Sequence, residues 1–264
     1  MSTVIYYFSG TGNSLMVARN IAEKTGGALT SIPSVIDKER IETLAEVVGI
    51  VFPVYYATNN SGVPLIVRRF VKKLGNIGSK YIFAVCTHGG APGTTIENLG
   101  RIIKACGGEL AAGFTVRMSF SDSPVEKLSH ALFQRKLETK TLADRGKREK
   151  ILDDWNRKLE AIHEYVRTQR TGEFETRGRL RKLVVFVPLH LLIRPMFSRR
   201  YRKLSKSSAH VPFSELIPLA DRNFQYNDKC DGCGICSRVC PVNNIMIVDK
   251  RPAWQHHCEN CYAC

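Results

Sequence analysis

The first 118 residues alternate between short apolar runs and stretches in which apolar positions recur every three to four residues. The apolar runs are rich in β-branched and aromatic residues, which is typical of strands buried on both faces of a parallel sheet. We predict five strands, at residues 3–8, 28–32, 47–52, 80–87 and 109–118. We predict helices between them, at residues 15–24, 62–75 and 94–106. The alternation indicates an α/β fold with a doubly wound parallel sheet.

A helical pattern follows the predicted sheet, over residues 124–170. Its clearest part places five apolar residues at steps of four, four, three and four: Ile151, Trp155, Leu159, Ile162 and Val166. Residues at this spacing share one side of a helix. We therefore expect the stripe to pack on the sheet as its last helix.

Residues 172–222 lack such a pattern, and we interpret them as a basic connector. The chain has a formal net charge of +15, and ten Lys or Arg residues lie between Thr176 and Ser214, where no Asp or Glu occurs. Pro188 and Pro195 are expected to break any long helix in this segment. Its one apolar patch, residues 183–193, is expected to dock against the first domain.

A loop of glycines and small polar residues follows the first predicted strand: Ser9, Gly10, Thr11, Gly12, Asn13 and Ser14. It fails the dinucleotide fingerprint because Leu15 stands at the third glycine position, and it lacks the lysine of a Walker loop. Hydroxyl groups and backbone N–H groups before a helix can hold a phosphate without a cation. The loop favours a terminal monophosphate over a pyrophosphate, although a tight turn with no ligand would use the same glycines.

Seven of the nine cysteines lie in the last 35 residues, in two runs. The runs are Cys230, Cys233, Cys236 and Cys240 before Pro241, and then Cys258, Cys261 and Cys264. This spacing is the bacterial signature for two iron–sulfur clusters. The alternative is a pair of zinc knuckles, but those favour two separated C-x2-C pairs. The other two cysteines, Cys86 and Cys106, are expected to be small buried apolar residues.

The segment from Tyr7 to Ser14 is similar to the FMN phosphate loop of flavodoxins. The whole chain resembles the flavodoxin–ferredoxin fusion proteins often named EFR1-family ferredoxins, over about its first 120 and last 40 residues. The resemblance implies a flavodoxin-like five-stranded sheet of order 2-1-3-4-5, with FMN at the carboxyl ends of strands one and three. It also implies a small α+β ferredoxin domain of the bacterial type. Ser9, Thr11, Asn13 and Ser14 would then hold the phosphate.

Two further loops fall where such a fold places the flavin ring. The loop after strand three contains Pro53, Val54, Tyr55 and Tyr56, followed by residues 57–59. A tyrosine here would stack on the ring, and we favour Tyr55. The loop after strand four contains Thr87, His88, Gly89 and Gly90. Its glycines would permit a close approach of the backbone to the ring.

In the two-cluster ferredoxin pattern, the fourth cysteine of each run binds the other cluster. The resemblance therefore assigns Cys230, Cys233 and Cys236 to cluster I, and Cys240, Cys258, Cys261 and Cys264 to cluster II. Cluster I then lacks a fourth ligand. We expect that the sequence stops short of a Cys-Pro just beyond Cys264. The alternatives are a three-iron cluster, or a four-iron cluster with a ligand such as His256 or His257.

These patterns predict a flavodoxin-like FMN-binding domain over residues 1–171, a basic connector over 172–222 and a [4Fe–4S] ferredoxin domain over 223–264 that is incomplete at its C-terminus. The N-terminus has the pattern of a strand rather than of a signal peptide. No apolar run approaches the ~20 residues needed to span a bilayer. Cysteine usage does not fit a disulfide framework. We therefore expect a cytoplasmic protein.

The basic connector indicates a partner that carries negative charge. We expect redox partner proteins with acidic surfaces, and the alternative is peripheral contact of residues 176–206 with an anionic membrane. Nucleic acid is not expected as a partner, because the segment has few aromatic residues that would stack on bases.

The leading functional hypothesis is an electron-transfer protein that relays electrons between FMN and [4Fe–4S] clusters under anaerobic, low-potential conditions. The alternative is a flavin-dependent oxidoreductase that reduces a small molecule with electrons from its own clusters. Such an enzyme needs a substrate pocket, and the residues that would line it follow strand five: Arg117, Ser119, Ser121 and Asp122. A purely structural cluster protein is not favoured, because it leaves the flavin loops unexplained.

Overall fold

The computed structural model describes residues 2–57, 61–89, 92–118, 145–176, 187–207 and 211–264. Its centre is a sheet of five parallel strands in the order β2-β1-β3-β4-β5. The strands are β1 (Thr3–Tyr7), β2 (Ala28–Ser31), β3 (Val47–Pro53), β4 (Tyr81–His88) and β5 (Leu110–Arg117). The predicted flavodoxin-like sheet and its strand order are thereby confirmed.

Helices cover both faces of the sheet because successive strand residues point to opposite sides. The helices of this part are α1 (Asn13–Thr25), α2 (Ile32–Val35), α3 (Leu65–Lys73), α4 (Thr95–Ala105) and α5 (Arg145–Arg167). On β3, Val48, Ile50 and Phe52 pack in one core with α3 and α4. Val47 and Val51 pack in the other core with α1 and α5. The short helix α2 was not predicted.

The apolar stripe of α5 packs on the sheet as predicted. Leu159, Ile162 and Val166 are buried in the core that contains Phe114 of β5, and Trp155 packs at its edge. The side chain of Ile151 lies outside the described part of the chain. After α5 the backbone returns along β5, where the N–H of Gly113 donates to the carbonyl oxygen of Glu173 at 2.8 Å.

The connector contains a long helix, contrary to the prediction from its prolines. Helix α6 spans Val187–Leu204 and continues through Pro195. Pro188 lies in its first turn, where a missing N–H costs nothing. The prediction that these two prolines break the helix is therefore wrong. Packing offsets the cost of Pro195, because Tyr201 on the next turns is buried in an apolar cluster.

The predicted docking of the apolar patch at residues 183–193 lies outside the described side chains, except for Leu191, which is 68% exposed. Among the described residues, an apolar cluster joins α6, α7 (Phe213–Leu216) and the 3₁₀ helix Pro218–Asn223. Tyr56 and Leu65 from the sheet domain pack against this cluster.

The cysteine-rich segment folds as a short helix followed by a hairpin. Helix α8 spans Ile235–Val239, and strands β6 (Ile245–Val248) and β7 (Arg251–Trp254) pair antiparallel. This confirms the α+β character that was predicted for the segment. Among the helices within the described ranges, none has the length and apolar character to cross a bilayer.

Candidate cofactor sites

The three loops proposed to hold a flavin meet at the carboxyl edge of the sheet. The N–H of Val54, after β3, donates to the carbonyl oxygen of Thr87 in β4 at 2.8 Å. The hydroxyl groups of Ser14 and Thr87 are buried and lie 2.7 Å apart, which joins the first loop to the third. The sheet therefore brings together the residues that the sequence places after β1, β3 and β4.

The loop after β1 presents the N-terminus of α1 to solvent. Gly12 adopts φ +91° directly before the helix, and no side chain caps the helix there. The N–H of Gly12 donates to the hydroxyl of Ser9 at 3.0 Å. Thr11, Gly12 and Asn13 are exposed. The first-turn N–H groups of α1 are thus directed toward a position where an anion can bind.

The two adjacent tyrosines have different surroundings. The hydroxyl of Tyr56 lies 2.5 Å from that of Tyr201 in the connector, and it accepts a hydrogen bond from the amide of Asn260. Tyr55 packs edge-on against Phe8, with ring centroids 6.2 Å apart. Burial raises the pKa of both tyrosines, so both hydroxyls are neutral. The geometry leaves Tyr55 as the tyrosine beside the phosphate loop.

Parts of the proposed flavin site lie outside the described residues, including Gly90, residues 58–59 and the sequence from Ser119 to Asp122. His88 and Arg117 are described, and they face each other in register at the ends of β4 and β5. The stacking role of Tyr55 and the contacts of this loop with a flavin stay predictions.

Six of the seven clustered cysteines line one cavity of about 520 Å³: Cys230, Cys236, Cys240, Cys258, Cys261 and Cys264. The seventh, Cys233, is exposed beside it. None of the seven forms a disulfide. Within the described ranges, no three His, Cys, Asp or Glu side chains converge on a position for a single metal ion. The cysteines surround a space instead.

The chemistry of this cavity suits thiolates bound to iron. Burial raises the pKa of Cys258 to about 12, and the pKa values of Cys261 and Cys264 are raised for the same main reason. A thiolate is therefore unfavourable here unless a positive centre binds it. Backbone N–H groups already point at two sulfurs: Asn244 donates to Cys240 and Asn260 to Cys258, each at 3.2 Å. The soft donor set and these N–H groups fit an iron–sulfur cluster.

Neither histidine proposed as a substitute ligand is among the residues that line the cysteine cavity. The Nδ1 atom of His256 lies 2.7 Å from a carboxylate oxygen of Asp221. The Nε2 atom of His257 lies 3.0 Å from the carbonyl oxygen of Val242. Both imidazole rings therefore contact protein oxygen atoms outside the cavity.

Three polar residues around the cavity were not predicted from the sequence. Asp221 is buried and accepts hydrogen bonds from the Asn244 amide at 2.8 Å and from the N–H of His256 at 3.1 Å. Glu259 is 3% exposed although it carries a carboxylate. Asn260 contacts the hydroxyl groups of Tyr56 and Tyr201. Glu259 and Asn260 could have been selected as candidates because they lie between two proposed ligand cysteines. The sequence contains no pattern that predicts which residues they contact.

The cysteine segment contacts the phosphate loop directly. A Cβ atom added to Gly10 would lie 2.7 Å from both the Cβ atom and the carbonyl oxygen of Cys261, and 2.8 Å from the Tyr55 hydroxyl. Cys261 also belongs to the same apolar core as Phe8 and Phe52 of the sheet domain. The proposed flavin site and the proposed cluster site therefore share one boundary.

Comparisons with known proteins find one family model and several solved structures that are similar to parts of the chain. The family model for the 4Fe-4S binding domain matches residues 226–246, which include the first cysteine run. This match supports an iron–sulfur cluster over zinc. No curated protein matches the chain.

Among solved structures, the chain is similar to several flavodoxins. One is a flavodoxin from the domain Archaea, with 16% identity, coverage of 63% of this chain and 99% of that chain, and a TM-score of 0.39. A second is the flavodoxin of Streptococcus pneumoniae TIGR4, with 14% identity, coverage of 61% and 99%, and a TM-score of 0.33. A third is the flavodoxin of Megasphaera elsdenii, with 19% identity, coverage of 44% and 85%, and a TM-score of 0.32.

Proposed function

We propose that this protein transfers electrons between FMN and [4Fe–4S] clusters that are bound within the same chain. The observation that supports this most directly is the contact between Gly10 and Cys261, because it brings the phosphate loop against a cysteine of the cluster cavity. When bound, a flavin exchanges electrons singly or in pairs, and an iron–sulfur cluster exchanges them singly.

The protein's own residues hold and separate these groups. In the proposal, Ser9, Thr11 and Asn13 with the N-terminus of α1 bind the FMN phosphate. The buried hydroxyl of Ser14 fixes this loop to Thr87 in β4. The cysteines bind two clusters in the crossed pattern described above, which also makes the chain a member of the flavodoxin–ferredoxin fusion family. The same proposal places the end of the FMN-binding domain at residue 171 and the end of the connector at residue 222.

An anaerobic reconstitution tests this function. The full chain is loaded with FMN, iron and sulfide, and cofactor content is measured by visible absorbance and by iron and sulfide analysis. A separately reduced small ferredoxin is then mixed with it, and flavin bleaching is followed by stopped flow. We expect fast bleaching that is lost when the iron is removed with a chelator. Equal bleaching rates with and without iron would contradict a relay through the clusters.

We further propose an acidic redox protein as the partner, acting in the cytoplasm under anaerobic conditions because such clusters are oxygen-labile. Helix α6 carries no Asp or Glu and exposes Arg199, Arg200 and Lys203. Attraction between such a surface and an acidic partner weakens with salt. We therefore expect the electron-transfer rate with an acidic ferredoxin to fall as ionic strength rises from about 0.05 to 0.5 M.

A charge-reversal pair tests this surface. Lys203→Glu should slow electron transfer from the acidic donor, whereas the control Lys104→Glu, at an exposed position of α4, should not. The competing occupant is an anionic membrane, since Leu191 and Met196 are also exposed on α6. Salt-sensitive co-sedimentation with phosphatidylserine vesicles, together with an unchanged rate for Lys203→Glu, would favour the membrane instead.

A further inference from the structure

The segment Cys258–Cys264 is the part of the cysteine cavity that contacts the flavin loops. Cys258 and Cys261 are buried, and Cys261 lies against Gly10 in the apolar core on which Tyr55 packs. By contrast, Cys233 of the first run is exposed to solvent. Cys264 of the second run is exposed as well. The two runs differ because Cys261 of the second run lies against Gly10 of the phosphate loop.

Glu259 fastens this segment to the sheet domain at the N-terminus of α3. One carboxylate oxygen accepts a hydrogen bond from the N–H of Leu65 at 3.0 Å, and the N–H of Ile66 also donates to this carboxylate. The other oxygen lies 3.4 Å from the guanidinium of Arg69. Pro64, directly before the helix, provides no side-chain cap. Glu259 thus supplies, from a distant part of the sequence, the hydrogen-bond acceptor that the helix N-terminus needs.

Asn260 fastens the same segment on the opposite side. Its side-chain amide donates to the Tyr56 hydroxyl at 2.6 Å and also to the Tyr201 hydroxyl. Tyr56 belongs to the sheet domain and Tyr201 to α6. The two residues between Cys258 and Cys261 are therefore anchored to different elements. Cys261 follows these two anchors and lies against Gly10.

We propose that the cluster bound by Cys258, Cys261 and Cys264 is the one that exchanges electrons with the flavin, and that Glu259 and Asn260 are positioning residues that hold it against the phosphate loop. The proposal rests on the proposed function above. Electrons enter from a reduced redox protein at the other cluster, whose ligand Cys233 is exposed. In each step one cluster is oxidised by one electron and the next group is reduced by one. No covalent bond forms or breaks.

Variants of the full chain test the positioning role, because electron tunnelling slows steeply with distance. Glu259→Ala removes the helix cap, Glu259→Gln keeps a hydrogen-bond acceptor without the charge, and Asn260→Ala removes the second anchor. The control Glu109→Ala alters an exposed carboxylate before β5. Two quantities are measured at equal FMN and iron content: the rate of flavin bleaching, and the relaxation enhancement of the flavin EPR signal by the reduced cluster.

We expect both quantities to fall at least tenfold in Glu259→Ala and in Asn260→Ala, to recover partly in Glu259→Gln and to stay unchanged in Glu109→Ala. Unchanged relaxation and rate in both alanine variants, with full cofactor content, would overturn the positioning role and leave the proposed function standing. A wild-type chain that binds neither FMN nor iron would overturn both.

A measurement on the wild-type chain tests the same proposal without variants, in case the variants fail to fold. Hydrogen exchange at Leu65 and Ile66 reports whether Glu259 caps α3, since these N–H groups have no intrahelical acceptor. We expect both to be protected in the cluster-loaded protein and to exchange at least tenfold faster after iron removal, while the middle of α3 stays protected. Equal exchange in both states would overturn the proposal.

Discussion

The carboxylate of Asp221 accepts a hydrogen bond from the side-chain amide of Asn244 at 2.8 Å, and both residues are buried. Asn244 in turn donates its backbone N–H to the sulfur of Cys240 and accepts the N–H of His257 at 2.7 Å. Asp221 lies in the 3₁₀ helix of the connector. A carboxylate of the connector therefore holds the backbone around the cysteine cavity.

We predict that Asp221→Ala destabilises the cysteine segment by about 2–4 kcal/mol, because the Asn244 amide and the N–H of His256 lose their acceptor. The measurement is the denaturant concentration at which half of the iron is released from the anaerobic protein, which should decrease. The control Asp228→Ala alters an exposed aspartate and should leave this midpoint unchanged. Equal midpoints in the two variants would show that the buried carboxylate does not support the cavity.

The Ser14–Thr87 contact leads to a prediction about flavin affinity. Thr87→Val keeps the side-chain shape but leaves the buried Ser14 hydroxyl without its partner. Such a loss costs about 1–2 kcal/mol. We expect FMN to bind about tenfold more weakly in a fluorescence-quenching titration, because the loop after β1 is no longer fixed to β4.

The matched control for this variant is Thr30→Val on the edge strand β2, which makes the same chemical change away from the three loops. It should bind FMN like the wild-type chain. Equal FMN affinity of Thr87→Val and Thr30→Val would mean that the hydroxyl pair does not organise the loop.

Much of the sheet domain was predictable because its signals are local. Strand β3 is an uninterrupted apolar run, and Gly26 at φ +61° ends α1 where the sequence places a glycine pair. Parallel strands present their carboxyl ends on one edge, so three loops could be brought together without any knowledge of side-chain contacts.

The contacts between the two halves were not predictable, because each joins residues far apart in sequence. Glu259 caps a helix that begins 194 positions earlier at Leu65. The buried cluster around Tyr201 stabilises α6 through Pro195, and local propensity alone disfavours that helix. The cap of α3 and the helix α6 therefore depend on tertiary contacts, and no local sequence pattern predicts either of them.

Cysteine reactivity after iron removal gives a prediction that separates core cysteines from ligands. Burial raises the pKa of Cys86 to about 12, so at pH 8 only about one thiol in ten thousand is ionised. The cysteine segment loses its core when iron is removed. We expect iodoacetamide at pH 8 to modify the seven clustered cysteines and not Cys86, as measured by mass spectrometry of peptides.

Alkylation in denaturant is the control, and it should modify all nine cysteines of the chain. Protection of Cys86 should persist as the pH rises toward 10, because the thiol remains mostly neutral below its pKa of about 12. If Cys86 reacts as fast as the clustered cysteines in the folded chain, its burial in the core that the sheet forms with α3 and α4 is refuted.

Two glycines in the first cysteine run give a matched pair for the last prediction. Gly232 adopts φ +77° and Gly234 φ +74°, so alanine is strained by a similar backbone cost at both positions, about 1 kcal/mol. They differ in the space around them. A Cβ atom on Gly232 would lie 2.5 Å from the carbonyl oxygen of Lys250, whereas on Gly234 the nearest atom is the Cγ1 of Ile247 at 3.7 Å.

We therefore predict that Gly234→Ala is tolerated with a small loss of stability, and that Gly232→Ala costs at least about 2 kcal/mol more, because the backbone at Lys250 must move. Since Gly232 lies between Cys230 and Cys233, this movement should also lower the iron content after reconstitution. Iron analysis and the midpoint of iron release in denaturant, measured side by side for the two variants, check the difference. Equal losses in both variants would mean that left-handed strain, and not the close approach to the hairpin, determines how this loop holds its cluster.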